Sequence, residues 1–195
     1  MSDRNRQRRA LRQQRRAMDP HERRSRSEQL CRRVWQQPLF RNSQTIAAYL
    51  AADGEVETTA LIERAWQLGK RVYLPVLAPF SDNRLWFARY TPDSQLVLNR
   101  FGIAEPRAHY SRLLDRQALD MVLTPLVGFD RRGNRLGMGG GFYDRSFAYL
   151  LRRKHWHKPR LVGLAFDFQC LDRLPARAWD VPLNAVATES RWYRF

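Results

Sequence analysis

The spacing of apolar residues changes period along this chain, and the changes divide it into elements. Residues 45–50, "TIAAYL", form a short continuous apolar run of the buried-strand kind, and 71–76, "RVYLPV", form a second. Between them "ADGEVE" reads as a turn. "TTALIERAWQLGK" then carries Ala60, Leu61, Ala65 and Leu68 at helical spacing, with Gly69 set to stop the helix. The span 45–76 thus has the length of a strand, helix, strand unit with a parallel crossover. "RLWFARY" (84–90) and "QLVLN" (95–99) flank "TPDS" and predict a hairpin or an antiparallel addition. After an expected short helix near 111–117, "DMVLTPLVGF" (120–129) is almost wholly apolar, the mark of a strand buried on both faces. "FYDRSFAYLLRRK" predicts a helix with Phe147, Tyr149, Leu150 and Leu151 toward the core. "RLVGLAF" and "NAVATE" predict two more strands, the second being the last.

The amino-terminal part is patterned differently. Ten arginines fall between Arg4 and Arg26, with Leu11 and Met18 as sparse apolar marks. This predicts an exposed basic helix of modest amphipathicity, ending near Met18. Asp19, Pro20 and Glu22 restart a helix as cap, first-turn proline and dipole-matched acid. Leu30, Cys31, Val34 and Trp35 lie on its inner face, up to the break at Pro38.

The order alternates α and β with no repeat and no linker, so one α/β domain over residues 1–195 is expected. Its form is a three-layer α/β/α sandwich with a Rossmann-like, mostly parallel sheet and the arginine-rich N-terminal helix. A chain of 195 residues, 44% hydrophobic, can bury one such core. No apolar stretch approaches the roughly 18–20 residues that span a bilayer, and no export signal follows the first arginines, so a cytoplasmic protein without membrane contact is expected. Cys31 and Cys170 are two lone thiols, which suits a reducing compartment, and with four scattered histidines they make no zinc pattern.

Charge adds a partner class. The net charge is +16 from 35 basic residues, of which only Lys70, Lys154 and Lys158 are lysines. Such an excess favours a polyanion: nucleic acid, nucleotide or a polyglutamylated small molecule. Residues 1–34 contain no Phe, Trp or Tyr to interleave with the arginines, so a nucleic-acid contact is not expected, although the charge keeps a basic RNA-associated protein on the same fold as the alternative. A solvated helix face is the plain reading of the run.

The densest chemistry lies in "RLGMGGGFYDR" (135–145). Four glycines, Gly137, Gly139, Gly140 and Gly141, let an anion approach the backbone and let successive amides converge on it. The block leads into a helix start, where ligands of open α/β sheets gather. It is neither a Walker loop nor a dinucleotide fingerprint, and on its own it suits a phosphate site and a tight turn equally. Asp144 beside it could hold magnesium on bound phosphates or serve as an ordinary first-turn acid.

These residues resemble the 5-formyltetrahydrofolate cyclo-ligase family. The resemblance is carried by "TPLVGFDRRGNRLGMGGGFYDR" and supported by "DGEVET", "KRVYLPV", "FGIAEP" and "WDVPLNAVATE", in family order over nearly the whole chain. It implies ATP- and Mg2+-dependent closure of 5-formyltetrahydrofolate to 5,10-methenyltetrahydrofolate, with release of ADP and phosphate. The substrate is then a reduced folate, with or without a polyglutamate tail, and a monomer is expected. By position the resemblance makes Arg135, Leu136, Gly137, Met138, Gly139, Gly140, Gly141, Phe142 and Tyr143 the nucleotide loop, with Asp144 and Arg145 catalytic. It makes Asp144 and Asp180 the magnesium ligands, and Leu50, Glu55 and Phe101 the folate contacts. Arg4 and Arg8 stand where the family has a Lys-x-x-x-Arg pair at the nucleotide. Met138 stands where many relatives carry a larger or charged residue.

Overall fold

The structure, a computed structural model, describes residues 3–77, 84–107, 109, 112–153 and 158–195. Three helices open the chain: α1 (Asp3–Ala17), α2 (Pro20–Trp35) and α3 (Pro38–Asn42). Asp19 caps α2 as its sequence suggests, accepting from the amides of His21 and Glu22 at 2.8 and 3.1 Å. Pro38 does not simply break the chain. It starts α3, because its fixed φ and missing N–H cost nothing in a first turn.

Strand β1 (Thr45–Ala47), helix α4 (Thr59–Gln67) and strand β2 (Arg71–Leu77) form the expected crossover, with β1 and β2 parallel. Strand β3 (Leu85–Tyr90) adds to β2 antiparallel. It makes no hairpin with β4 (Leu96–Leu98), which instead pairs with β5 (Ala104–Pro106) across a turn at residues 99–103. Asn99 builds that turn: its Oδ1 accepts from the amides of Phe101 and Ile103, and its backbone carbonyl accepts from Gly102.

The long apolar run at 120–129 is two strands in two sheets. β6 (Met121–Pro125) lies in the main sheet, while β7 (Gly128–Asp130) leaves it to pair with β8 (Arg135–Leu136). All of β7 and every residue of β6 but Pro125 are buried, so hydrophobicity alone carried no sign of the break. Helix α5 (Phe142–Phe147) continues as a 3-10 turn through Arg152. Phe147 is buried, Tyr149 and Leu150 are half-buried, and Leu151 faces solvent, because the tighter turn rotates it off the core face. Strands β9 (Arg160–Leu164), β10 (Cys170–Leu171), β11 (Ala185–Ala187) and β12 (Trp192–Arg194) complete the chain, so "NAVATE" does not hold the last strand. The helix expected near 111–117 falls partly outside the described residues, and a 3-10 turn covers Arg116–Ala118.

The main sheet has the order β12-β11-β9-β6-β1-β2-β3. Its inner pairings are parallel, and antiparallel β12 and β3 form the edges. Strand alternation divides the core into two layers: Met121 and Leu123 of β6 face Leu30, Val34, Leu61 and Ile62 of α2 and α4, while Val122 faces Phe147 and Phe129. The second outer layer is therefore α5 together with the small sheet β10-β7-β8. Strand order reverses around β1, with β2 on one side and β6 on the other, and the crevice at such a switch point is where ligands of this architecture bind.

Candidate functional site

A cleft of about 950 Å3 opens beyond the carboxyl ends of β1, β2 and β6, with Tyr49, Leu50, Pro75, Leu77 and Pro125 at its base. Its volume suits a drug-sized or somewhat larger ligand. Three further walls close it: α1, the glycine block before α5, and the β4–β5 hairpin.

Helix α1 is not the exposed basic helix its composition predicts. Arg4, Arg8 and Arg12 are four residues apart and so share one face, and that face lines the cleft. Leu11 packs with Val127, Leu136 and Leu174, while Arg6 and Arg9 carry the solvated side. The helix is tied down by charge. Asp53 receives Nε of Arg12 at 2.8 Å and an Nη of Arg15 at 2.7 Å, and pairs with Arg16 as well. Burial pushes the Asp53 carboxyl up, but hydrogen bonds from Arg12, Arg16 and Arg15 outweigh it and hold its pKa at about 2. Arg15 is only 1% exposed and also donates to the carbonyls of Asp53 and Leu126, at 2.8 and 3.1 Å. Asp53 and Gly54 turn through positive φ, 53° and 73°, and a Cβ on Gly54 would stand 3.0 Å from the Arg15 carbonyl oxygen. The "DG" pair is the backbone price of bringing that carboxylate under three arginines.

The glycine block forms the next wall. Gly139 and Gly141 adopt φ of 107° and 63°, which turns the chain sharply into α5. The Nε of Arg8 donates to the Gly137 carbonyl at 2.8 Å, so α1 lies directly against the loop. Arg145 donates back to the Gly140 carbonyl and lies over the Phe142 ring. Arg135 is buried and points behind the loop, donating to the Val181 carbonyl at 3.0 Å and to Asp144 Oδ1 at 2.6 Å. Its side chain buttresses Asp144 more than it faces the cleft. Leu136 is fully buried between Leu11, Val127 and Leu174, so its side chain packs the small sheet and cannot meet a ligand. Met138 is exposed at the cleft surface.

Asp144 accepts from Arg135 and from the Val181 amide at 3.1 Å, and the adjacent Asp180 accepts from Arg4 at 3.0 Å and from the Arg177 amide at 3.0 Å. Both carboxylates line the cleft. Among the described residues no three His, Cys, Asp or Glu side chains cluster as a metal cage. Two carboxylates with room for water and phosphate oxygens are what magnesium accepts, so these residues fit that ion. Burial, followed by the charges of Arg4, Arg12 and Arg177, lowers the pKa of Arg8. Crowded cations of this kind are relieved by a polyanion.

Toward the β1 end the lining changes. Glu55 accepts from the Ala52 amide at 3.2 Å, and burial pushes its carboxyl up. Burial also raises Tyr143 and Tyr49, which keeps both phenols neutral hydrogen-bonding groups. Leu50 is half-buried, and Phe101 at the hairpin tip is 56% exposed and meets Phe142 edge to face at 5.8 Å. Glu105 holds the hairpin against β2, accepting from Asn99 at 3.0 Å and the Leu77 amide at 3.2 Å.

The fold therefore brings every sequence-indicated site residue except Leu136 to one cleft. It also brings Arg12, Arg16, Asp53, Asn99, Glu105, Arg177 and Trp179, which sequence reasoning missed. The i, i+4, i+8 register of Arg4, Arg8 and Arg12 was the available signal for the first of these.

Comparison with known proteins follows the same lines. The profile of the 5-formyltetrahydrofolate cyclo-ligase family matches residues 1–189. The chain is 45% identical over 181 residues to the 5-formyltetrahydrofolate cyclo-ligase of Escherichia coli K12, spanning 93% of this chain and 97% of that one. It is 47% identical over 145 residues to the Haemophilus influenzae protein of the same name, 73% of this chain and 74% of that one. The NMR structure of Aquifex aeolicus 5,10-methenyltetrahydrofolate synthetase superimposes with a TM-score of 0.81 at 32% identity, covering 98% of this chain and 92% of that one.

Proposed function

The chain belongs to the 5-formyltetrahydrofolate cyclo-ligase family, and from that premise we propose that its cleft converts 5-formyltetrahydrofolate and ATP to 5,10-methenyltetrahydrofolate, ADP and phosphate. The observation that carries the reading is the arrangement of the cleft: a glycine loop and crowded arginines at one part, a desolvated carboxylate among apolar and phenolic groups at another.

A formamide carbonyl is a weak electrophile, and ring closure must expel its oxygen. Transfer of the γ-phosphoryl group forms a P–O bond to the formyl oxygen and breaks the bond to ADP. Folate N10 then attacks the formyl carbon, its proton is lost, and phosphate departs with that oxygen. The protein's task is alignment and charge neutralisation.

The amides of the glycine block and the guanidiniums of Arg4 and Arg8 hold the phosphates, and Arg145 meets charge building on the transferring group. Asp144 and Asp180 would hold Mg2+, and the ion would supply neutralisation of phosphate charge there. Arg4 pairs with Asp180 at 3.0 Å, which keeps its guanidinium at the edge of the phosphate region. Arg135 fixes the Asp144 rotamer from behind. Glu55 accepts from the amino and ring N–H edge of the pterin, while Leu50 and Phe101 pack on its faces.

The test is the near-ultraviolet absorbance of the methenyl product, with 5-formyltetrahydrofolate, magnesium and purified protein, with and without ATP. An ATP-dependent rise is expected. Binding of both ligands without any rise would overturn the assigned chemistry. The inward turn of the arginines at 4, 8, 12 and 15 favours the enzyme over the RNA-associated alternative that the charge of +16 suggests.

A further inference from the structure

The cleft has a direction, and α1 measures it. Arg4 pairs with Asp180, Arg8 with the Gly137 carbonyl, and Arg12 with Asp53, two residues before Glu55. At about 1.5 Å per residue these contacts mark out roughly 12 Å from one end to the other. The Asp180 end, the glycine block and the Glu55 end therefore follow one another along the helix. If folate lies at Glu55, as proposed above, the γ-phosphoryl group must face that end. The nucleoside must then project the opposite way, past Asp180.

Trp179 stands at that far end. It is 61% exposed, a rare state for the largest apolar side chain, and it lines the same cleft. The Arg177 guanidinium lies over the indole, 5.5 Å from its centroid, and the Arg177 amide donates to Asp180 Oδ2 at 3.0 Å. The indole is thus held from one face by a cation anchored next to the phosphate-facing acid. That leaves a flat, largely exposed indole in the cleft lining, directly beside Asp180 in sequence. An aromatic face of this kind recognises a planar π system.

The geometry points to Trp179 as the platform on which the nucleotide base stacks, with Arg177 as the positioning residue that holds the indole and adds positive potential toward the α-phosphate. This rests on the nucleotide reading of the cleft, and the experiment separates the two. Calorimetric titrations with Mg2+ would compare ADP and inorganic tripolyphosphate on the parental protein, Trp179→Ala and Trp179→Phe. Loss of one stacking partner is expected to weaken ADP about tenfold in Trp179→Ala. Tripolyphosphate, which has no base, is expected to bind the parent and Trp179→Ala alike, and Trp179→Phe is expected to recover most of the ADP affinity. In turnover, KM for ATP should rise in Trp179→Ala while kcat stays near the parental value. Unchanged ADP affinity in Trp179→Ala, or an equal loss for ADP and tripolyphosphate, would overturn the platform. If the parent bound neither probe, the nucleotide reading itself would fall, and the platform with it.

Discussion

Asp144 shows how closely support and chemistry are joined in single side chains. One of its oxygens already serves Arg135 and the Val181 amide. Asp144→Asn keeps an acceptor for both, so the fold should persist, but it removes the negative charge a cation needs. Turnover is expected to fall by about 10²-fold or more, and raising magnesium should recover part of it. Parental rates across a magnesium titration would exclude a metal role. Glu55 gives a pH signature. Burial raises its pKa, so the folded protein binds that proton more tightly than the unfolded chain, and ionising it costs stability as pH rises past the ordinary glutamate range. A pterin donating to the carboxylate favours the ionised form. Folate affinity should therefore increase as pH rises through the raised Glu55 pKa, and in Glu55→Gln the profile should be flat. Persistence of the same slope in that variant would assign it to another group. That both carboxylates belong to one cleft was legible through the resemblance, because each sits in a distinctive stretch. Leu136 was not, since a residue inside a motif can belong to it for packing alone. Asp53 was missed for the converse reason: a carboxylate in a "DG" turn reads as local turn chemistry, and its three arginine partners lie 37 to 41 residues away.

Helix α1 owes its place to Asp53 more than to apolar packing, since Leu11 and Arg15 are its buried residues. That makes its docking sensitive to acid. A carboxylate whose pKa falls from 3.8 to about 2 on folding contributes stability that is present above the unfolded value and lost as pH drops toward the folded one. The contribution is on the order of 2 kcal/mol. Asp53→Asn should lower the unfolding free energy at neutral pH by about that amount and flatten the acid limb between about pH 4 and 2. Limited proteolysis should then cut within α1 before the sheet. A neutral variant as resistant as the parent would mean that Leu11 and the contacts of Arg4, Arg8 and Arg15 elsewhere anchor the helix without Asp53. The crossover around α4, the glycine block and the β9 and β11 strands were legible from period and turn residues. The β4–β5 pairing and the split of 120–129 into two sheets were not, because both depend on which distant strand offers a free edge.

Across the molecule the charge of +16 is divided between an inward group that lines the cleft and an outward group on the surface. The outward group repels itself through solvent, and salt screens such repulsion within about 10 Å at 0.1 M. The thermal midpoint without ligand should therefore rise between low and moderate salt. A fall would mean that ion pairs such as those at Asp53 outweigh the repulsion. The contact between Arg4 and Asp180 closes the cleft across 176 positions of sequence. At roughly 5–20 residues per second, a ribosome finishes the second partner about 10–35 seconds after the first. Arg12, Arg15 and Arg16 find Asp53 early, but Arg4 must wait without its carboxylate until residue 180 has been made. The cleft is thus closed only after residue 180 has been made, and a chain halted before it has β1, β2, β6 and β9 but lacks the closing contact.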